Sequence, residues 1–123
     1  MPSVIVVDDE LELVSLFKTF LEKEGYNVIS FSDPLLALEY LKGTQANFSL
    51  LLTDLRMPGL SGIDLARNIR KINGDIKIFL MTAFDTRDIE QLPGYIEARI
   101  NRVLQKPIRF VQLREIIKEA LVV

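Results

Sequence analysis

The sequence contains no cysteine and no histidine. Without cysteine there is no disulfide framework, no thiol nucleophile and no zinc-thiolate site. Without histidine, the commonest general base and the commonest metal ligand are both missing. Any chemistry must rest on carboxylates, lysine, hydroxyls and backbone groups, a donor set that suits a hard cation such as Mg²⁺ better than zinc or copper. A strong charge of either sign is also absent: 15 Lys and Arg stand against 17 Asp and Glu, leaving −2. The pI near 5.2 offers no basic field for nucleic acid. No apolar run approaches the roughly 20 residues that span a bilayer. Met1-Pro2-Ser3 leads straight into strand sequence with no signal peptide. These absences point to an intracellular, cytoplasmic protein that touches neither nucleic acid nor membrane through these residues.

What is present is the material of an ordinary globular domain. Of 123 residues, 49% are hydrophobic, enough for one core over residues 1–123 without staples. Ser3-Val4-Ile5-Val6-Val7 is a β-branched strand that stops at Asp8-Asp9-Glu10. Leu13, Leu16, Phe17, Phe20 and Leu21 then recur at helical spacing, with Gly25 placed to end the helix. A second strand is expected over 26–31. Asp33-Pro34 is a helix start, with Asp as N-cap and Pro at the first position. Leu36, Ala37, Tyr40 and Leu41 supply that helix's apolar stripe, and Gly43 its stop.

The Leu-rich run from Leu50 to Asp54 reads as a strand buried on both faces, ended by an acid and turned away by Met57-Pro58-Gly59. Ser61-Gly62-Ile63-Asp64 resembles a capping box with Asp in place of Glu, opening a helix lined by Ile63, Ala66, Ile69 and Ile72. After the Asn73-Gly74-Asp75 turn, a fourth strand over 76–81 ends at Thr82-Ala83. The next crossover, 85–100, is interrupted by Pro93-Gly94, so a short, broken or displaced fourth helix is expected. Arg102 to Gln105 forms a fifth strand ending at Lys106-Pro107. The last helix carries Phe110, Leu113, Ile116, Ile117 and Leu121 on one face.

Strict alternation implies a parallel α/β sheet with helices on both faces, because parallel strands need right-handed crossovers. All strands then point one way. Asp8, Asp9, Asp54, Thr82 and Lys106 converge on the edge where such sheets place their ligand crevice. Three carboxylates in one crevice repel and stay ionised only around a cation, for which Mg²⁺ fits. A lysine and a hydroxyl facing the same point can neutralise and hydrogen-bond an oxyanion beside the metal. Together these groups make a site for moving a phosphoryl group onto a carboxylate. Asp54 is the best nucleophile candidate because it ends the most apolar strand.

Asp8-Asp9 after the first strand, Asp54 in Asp-Leu-Arg-Met-Pro-Gly after the third, Thr82-Ala83 after the fourth and Lys106-Pro107 after the fifth resemble the receiver domain of two-component response regulators. The resemblance runs from Val4 to Leu121 and implies a three-layer flavodoxin-like (βα)5 fold, strand order 2-1-3-4-5. It implies that Asp54 is the phosphoacceptor of a phosphorelay. Asp9 becomes the principal Mg²⁺ carboxylate, assisted by Asp8, with Asp54 and the backbone carbonyl of Arg56 as further ligands and Mn²⁺ as a substitute metal. Thr82 and the backbone N–H of Ala83 would bond the phosphoryl oxygens, Lys106 would pair with them, and Lys106-Pro107 would be cis. A histidine kinase or phosphotransfer protein is the implied donor. Homodimerisation through the face of the fourth helix, fifth strand and fifth helix is the family's habit.

Two departures stand out. The Tyr or Phe that receivers carry three residues before the lysine is Val103 here, so the aromatic half of the usual switch is missing. The Pro93-Gly94 break falls in the usual output face. Arg56 and Phe84, flanking the site, are larger than many residues found there and are expected to restrict the hydrolytic water and lengthen the signal.

Each motif alone has an ordinary structural role: Asp8 and Asp9 as helix caps, Asp54 as a turn residue, Thr82 as a strand-end hydroxyl, Lys106 as a solvated charge. Phe17, Phe20, Phe31, Phe79 and Phe110 belong to the core. Arg67, Arg70 and Lys71 read as the solvated face of the third helix, and Arg99 and Arg102 likewise as solvated. The four strand-end signals in order outweigh these separate readings. The competing function is a receiver-fold interaction module that no longer switches by phosphorylation. A metal-dependent phosphatase lacks the Asp-x-Asp it would need, since Asp54-Leu55-Arg56 does not supply one. The expected protein turns over no outside metabolite; it catalyses only its own phosphorylation and dephosphorylation.

Overall fold

In a computed structural model that describes residues 2–44 and 47–121, the elements alternate as read from the sequence; Met1, of the expected leader-free start, and the last two residues of the expected 1–123 domain lie outside that range. The strands are β1 (Ser3–Val7), β2 (Asn27–Phe31), β3 (Leu50–Asp54), β4 (Lys77–Thr82) and β5 (Arg102–Gln105). They form one sheet in the order β2-β1-β3-β4-β5, every pairing parallel. This is the flavodoxin-like topology. β3 lies at its centre and is buried at all its residues, as its Leu run requires.

Helices α1 (Leu11–Lys23) and α5 (Phe110–Ala120) cover one face, and α2 (Pro34–Gly43), α3 (Gly62–Ile72) and α4 (Tyr95–Ala98) the other. On the first face Val4, Val6, Leu50, Leu52, Phe79 and Met81 meet Phe17, Leu21, Leu113 and Ile117. Phe110 stacks on Phe20 at 4.6 Å and meets Phe17 edge-on at 5.7 Å. On the second face Ile5, Val7, Leu51 and Ile78 meet Ala37, Leu41, Leu65, Ala66 and Ile69. Alternate residues of each strand thus serve opposite cores, as the two-residue period demands.

Local signals explain the boundaries. Asp33 caps α2 by accepting from the Leu35 N–H at 2.9 Å, with Pro34 at the first position. Ser61 caps α3 by accepting from the Asp64 N–H at 3.1 Å. Gly25, at φ +97°, follows the end of α1. In the 73–75 turn, Asn73 Oδ1 accepts from the Asp75 N–H at 2.9 Å. Three stripe assignments fail: Leu16, Leu36 and Ile72 are exposed. Helical spacing gives the period of a face but not its width, and each of these lies at the margin of its buried stripe.

The fourth crossover is broken, as Pro93-Gly94 requires. A 3₁₀ helix, Thr86–Gln91, ends at Leu92, Gly94 takes φ +88°, and only the four residues of α4 follow. The positive φ is what demands glycine at 94; a Cβ there would also push on the Arg67 side chain, 2.4 Å away at Cδ. Arg99 ends α4 at φ +51°, a left-handed conformation that costs a non-glycine residue roughly 1–2 kcal/mol.

Arg70 is not part of a solvated face. Its guanidinium donates to the carbonyls of Ala98 (2.8 Å), Arg99 (2.8 Å) and Gly74 (3.0 Å), to that of Ile76, and to Asn101 Oδ1 (3.1 Å). These bonds hold the α4–β5 turn in its strained form and replace the hydrogen bonds that a longer helix would have made. A position three residues from Arg67 on a helix looks solvent-facing from sequence alone; the carbonyls that claim it come from the neighbouring chain segment.

Candidate functional site

The carboxyl ends of β1, β3, β4 and β5 lie side by side. Asp54 at the end of β3 pairs in register with Met81, and Thr82 at the end of β4 with Gln105, the residue before Lys106. The sheet continues past its strands through Leu55 N–H to Met81 O (2.8 Å) and Lys106 N–H to Thr82 O (2.7 Å). Lys106-Pro107 is cis. Gly62, opening α3, lies so close beneath the site that a Cβ there would come within 2.1 Å of the Asp54 carbonyl oxygen.

Lys106 organises the cleft. Its ammonium donates to Asp8 Oδ2 at 2.7 Å and lies 3.3 Å from Asp54 Oδ2 and 3.7 Å from Glu10 Oε1. Asp8 is fully buried, and its other oxygen accepts from the Glu10 N–H at 3.0 Å. One carboxylate therefore does two jobs. One oxygen fixes the start of α1, whose N-cap is Glu10, in the cap role expected from the sequence. The other holds the lysine, a contact the sequence did not suggest. Asp54 Oδ1 accepts from the Leu55 N–H at 3.0 Å. Oxygens of Asp8, Asp9 and Asp54 lie within 4.8 Å of one another. All-oxygen donors, one of them exposed on Asp9, fit a hard divalent cation that keeps some of its water.

Burial raises the Asp54 carboxyl first, and the nearby Asp8 charge adds to it; Lys106 opposes both, leaving Asp54 pushed up to about 6. Burial pulls the Lys106 ammonium down, yet its bonds to Asp8 and Asp54 outweigh that and hold it above its ordinary value. Thr82 is buried, and its hydroxyl oxygen accepts from the Phe84 N–H at 3.0 Å, which leaves the hydroxyl proton free to donate.

The cleft, about 230 Å³, is lined by Asp9, Glu10, Asp54, Arg56, Thr82, Ala83, Phe84 and Lys106. Every residue singled out from the sequence lies at this edge: Asp9, Asp54, Arg56, Thr82, Ala83 and Lys106 in the lining, Asp8 behind it. Two features were missed. Glu10 adds a fourth acid, signalled only by its place after Asp8-Asp9. Arg56 and Phe84 are named together from the sequence as flanking the site, but not as touching; the Arg56 guanidinium lies over the Phe84 ring, 4.3 Å from its centroid. β3 and β4 are neighbours, and each residue lies two positions past its strand end, which is what brings them together. A wider groove of about 650 Å³ lies on the other side of Arg56, between Met57, Pro58, Ile63 and the Leu92-Pro93 break.

A 2-1-3-4-5 parallel sheet carrying a lysine and clustered acids at its carboxyl edge defines a class of α/β domain built to handle an anion beside a cation. The model of the response regulator receiver domain matches residues 4–118, and the chain belongs to that family. It is similar to the response regulator receiver protein CpdR of Brucella abortus, 34% identical over 97% of this chain and 93% of the relative. It is 34% identical to the CpxR homolog of Haemophilus influenzae, a transcriptional regulatory protein, over 98% of this chain but only 51% of the relative. Among solved structures, the response regulator TrrA of Thermotoga maritima, in complex with Mg²⁺-BeF, is 32% identical with a TM-score of 0.82, covering 98% of this chain and all of that one. A receiver domain from Clostridium thermocellum has a TM-score of 0.85 at 26% identity, covering 98% of this chain and 94% of that one. The chain is a receiver domain of two-component signalling.

Proposed function

We propose that Asp54 is the phosphoacceptor of this receiver and that the transfer depends on Mg²⁺, with Mn²⁺ as a substitute. The observation that carries the reading is Lys106, whose ammonium is shared by Asp8 at 2.7 Å and Asp54 at 3.3 Å, with Asp9 in the same cluster. An Asp54 carboxylate oxygen attacks the phosphorus of a phosphohistidine on a histidine kinase or phosphotransfer protein. The P–N bond breaks as the P–O bond forms, and an acyl phosphate results. Lys106 balances negative charge on the transferred oxygens, and the Thr82 hydroxyl and Ala83 N–H donate to them. Asp8, Asp9, Asp54 and the Arg56 backbone carbonyl are the groups for the cation, which when bound supplies further positive charge to the same oxygens. The pairing of Lys106 with Asp8 keeps the ammonium aimed at Asp54 before any phosphoryl group arrives.

The protein acts as a cytoplasmic signalling partner and not as an enzyme of metabolism; among the described residues no helix is long and apolar enough to cross a membrane. A second copy is the other partner proposed, through α4, β5 and α5, where Ile96 and Val111 are exposed. One observation favours a second reading, an interaction module that no longer switches: Val103 packs beside Leu80, Ile89 and Tyr95 with no ring to turn, next to the shortened α4.

Intact mass after incubation with Mg²⁺ and a small acyl phosphate, beside Asp54→Asn, separates the two. A single phosphoryl adduct that needs Mg²⁺ and is absent from the variant is expected. A folded protein that gains no adduct from the acyl phosphate or from a phosphohistidine donor would establish the non-switching module.

A further inference from the structure

We propose that the Arg56 side chain is a second phosphoryl-binding cation, held in reserve on the Phe84 ring and transferred to the phosphoryl group when Asp54 is modified. The inference rests on the reading of Asp54 as phosphoacceptor and goes beyond it, since only the backbone carbonyl of Arg56 has a part in that reading.

The first argument is charge. Among the described residues lining the cleft, the cations are Arg56 and Lys106, against the acids Asp9, Glu10 and Asp54, with Asp8 behind them. Converting the Asp54 carboxylate to an acyl phosphate adds about one further negative charge. Asp8, Asp9 and the phosphoryl group then carry about four negative charges, whereas a divalent cation and Lys106 supply three. Glu10, 3.7 Å from Lys106, draws further on the same ammonium. The uncompensated charge falls in a cleft whose remaining cation is Arg56.

The second argument is what holds Arg56 in place. Its guanidinium carbon lies over an exposed ring, 4.3 Å from the centroid. An exposed cation–π contact is weaker than the charge-assisted, fork-shaped bonds that a guanidinium makes to a phosphoryl group. No carboxylate is paired with Arg56 among the ion pairs of the described residues, so no salt bridge must break before it moves.

The third argument is linkage. The backbone N–H of Phe84 donates to Thr82 Oγ1 at 3.0 Å, so the ring that stores the arginine is tied to the hydroxyl proposed for the same phosphoryl group. Arg56 also lines the wider groove beside the cleft. Its departure uncovers one face of Phe84 and changes that groove's wall, which carries a change at Asp54 to the surface without an aromatic at position 103.

The test uses beryllofluoride with Mg²⁺, which forms a tetrahedral phosphoryl-like adduct on a carboxylate. Binding is followed by fluorine NMR and calorimetry on the wild type, Arg56→Gln, Phe84→Leu and the double variant. Leu keeps apolar bulk over the mouth and removes the π face, and both residues are exposed, so folding is not at stake. Arg56→Gln is expected to weaken beryllofluoride binding about tenfold, one charge-assisted bond's worth. Phe84→Leu is expected to tighten it about two- to threefold by freeing the arginine, an effect the double variant lacks. Wild-type ring resonances of Phe84 should shift on binding, and those of Arg56→Gln should not. Equal affinity of wild type and Arg56→Gln would overturn the transfer while leaving Asp54 as acceptor. Absence of any adduct on the wild type would overturn the Asp54 reading first, and this inference with it.

Discussion

At Asp54, ionisation is costly before a cation arrives, because burial and the Asp8 charge both oppose it and Lys106 only partly offsets them. Its pKa of about 6 in the folded protein lies above the ordinary carboxylate value, so the native state holds that proton more tightly than the unfolded chain. The stabilisation from the protonated form is complete below about pH 4 and is lost as pH rises through about 6. In metal-free buffer, Asp54→Asn should therefore match the wild type in acid and exceed it by roughly 1–3 kcal/mol at pH 7.5. Urea unfolding of both proteins from pH 4 to 8 measures this, and a constant difference across that range would contradict it. Arg56 and Phe84 belong to the same scale. On the proposed reading Arg56, drawn to the phosphoryl group, and Phe84, beside the mouth, each bar water from the acyl phosphate, so Arg56→Ala or Phe84→Ala should each speed loss of the phosphoryl group about threefold or more. An unchanged dephosphorylation rate in both variants would remove the screening role.

Among the elements, the fourth crossover departs furthest from regular structure, and Arg70 on α3 is what secures it. Its five hydrogen-bond acceptors include the carbonyls of Ala98 and Arg99, which a longer helix or a sheet partner would otherwise have satisfied. Removing the guanidinium leaves those groups unpaired beside a residue already in the left-handed region. Arg70→Met keeps the alkyl stem, so the loss isolates the hydrogen bonds. We expect it to cost roughly 2–3 kcal/mol, with faster amide exchange concentrated at residues 98–101. Uniformly faster exchange over the whole sheet would instead mean that Arg70 supports the core and not the turn. In the same crossover Pro93 and Gly94 leave α4 with four residues, too few to offer a full helical surface.

For the molecule as a whole, the acidic edge is a source of self-repulsion in the free protein and a binding asset once a cation is present. Asp8, Asp9 and Asp54 are far apart in the unfolded chain, so a cation held by all three binds the native state alone. Mg²⁺ at a hundredfold excess over its dissociation constant should stabilise the fold by about 2.7 kcal/mol. Removal by EDTA should reverse the rise in melting temperature, and Asp9→Asn should abolish it. A wild-type melting temperature indifferent to Mg²⁺ at millimolar concentration would remove the cation from the proposed chemistry.

The order of elements, the parallel sheet and the residues gathered at its carboxyl edge were legible along the chain, because strand and helix periods, caps and turn residues are local signals. Parallel alternation then leaves one place for every strand end. Val103 and the Pro93-Gly94 break were equally plain, since each is an identity at a known offset. The contacts among these residues were not legible. That Lys106 bridges Asp8 and Asp54, that Arg56 rests on Phe84, and that Arg70 serves carbonyls 28 and 29 residues away all depend on where separate segments meet. So does the exposure of Leu16, Leu36 and Ile72, because the width of a buried stripe is set by the neighbouring element and not by the helix that carries it. Charge placement in this cleft is a property of packing, and packing exists only once the five strands lie side by side.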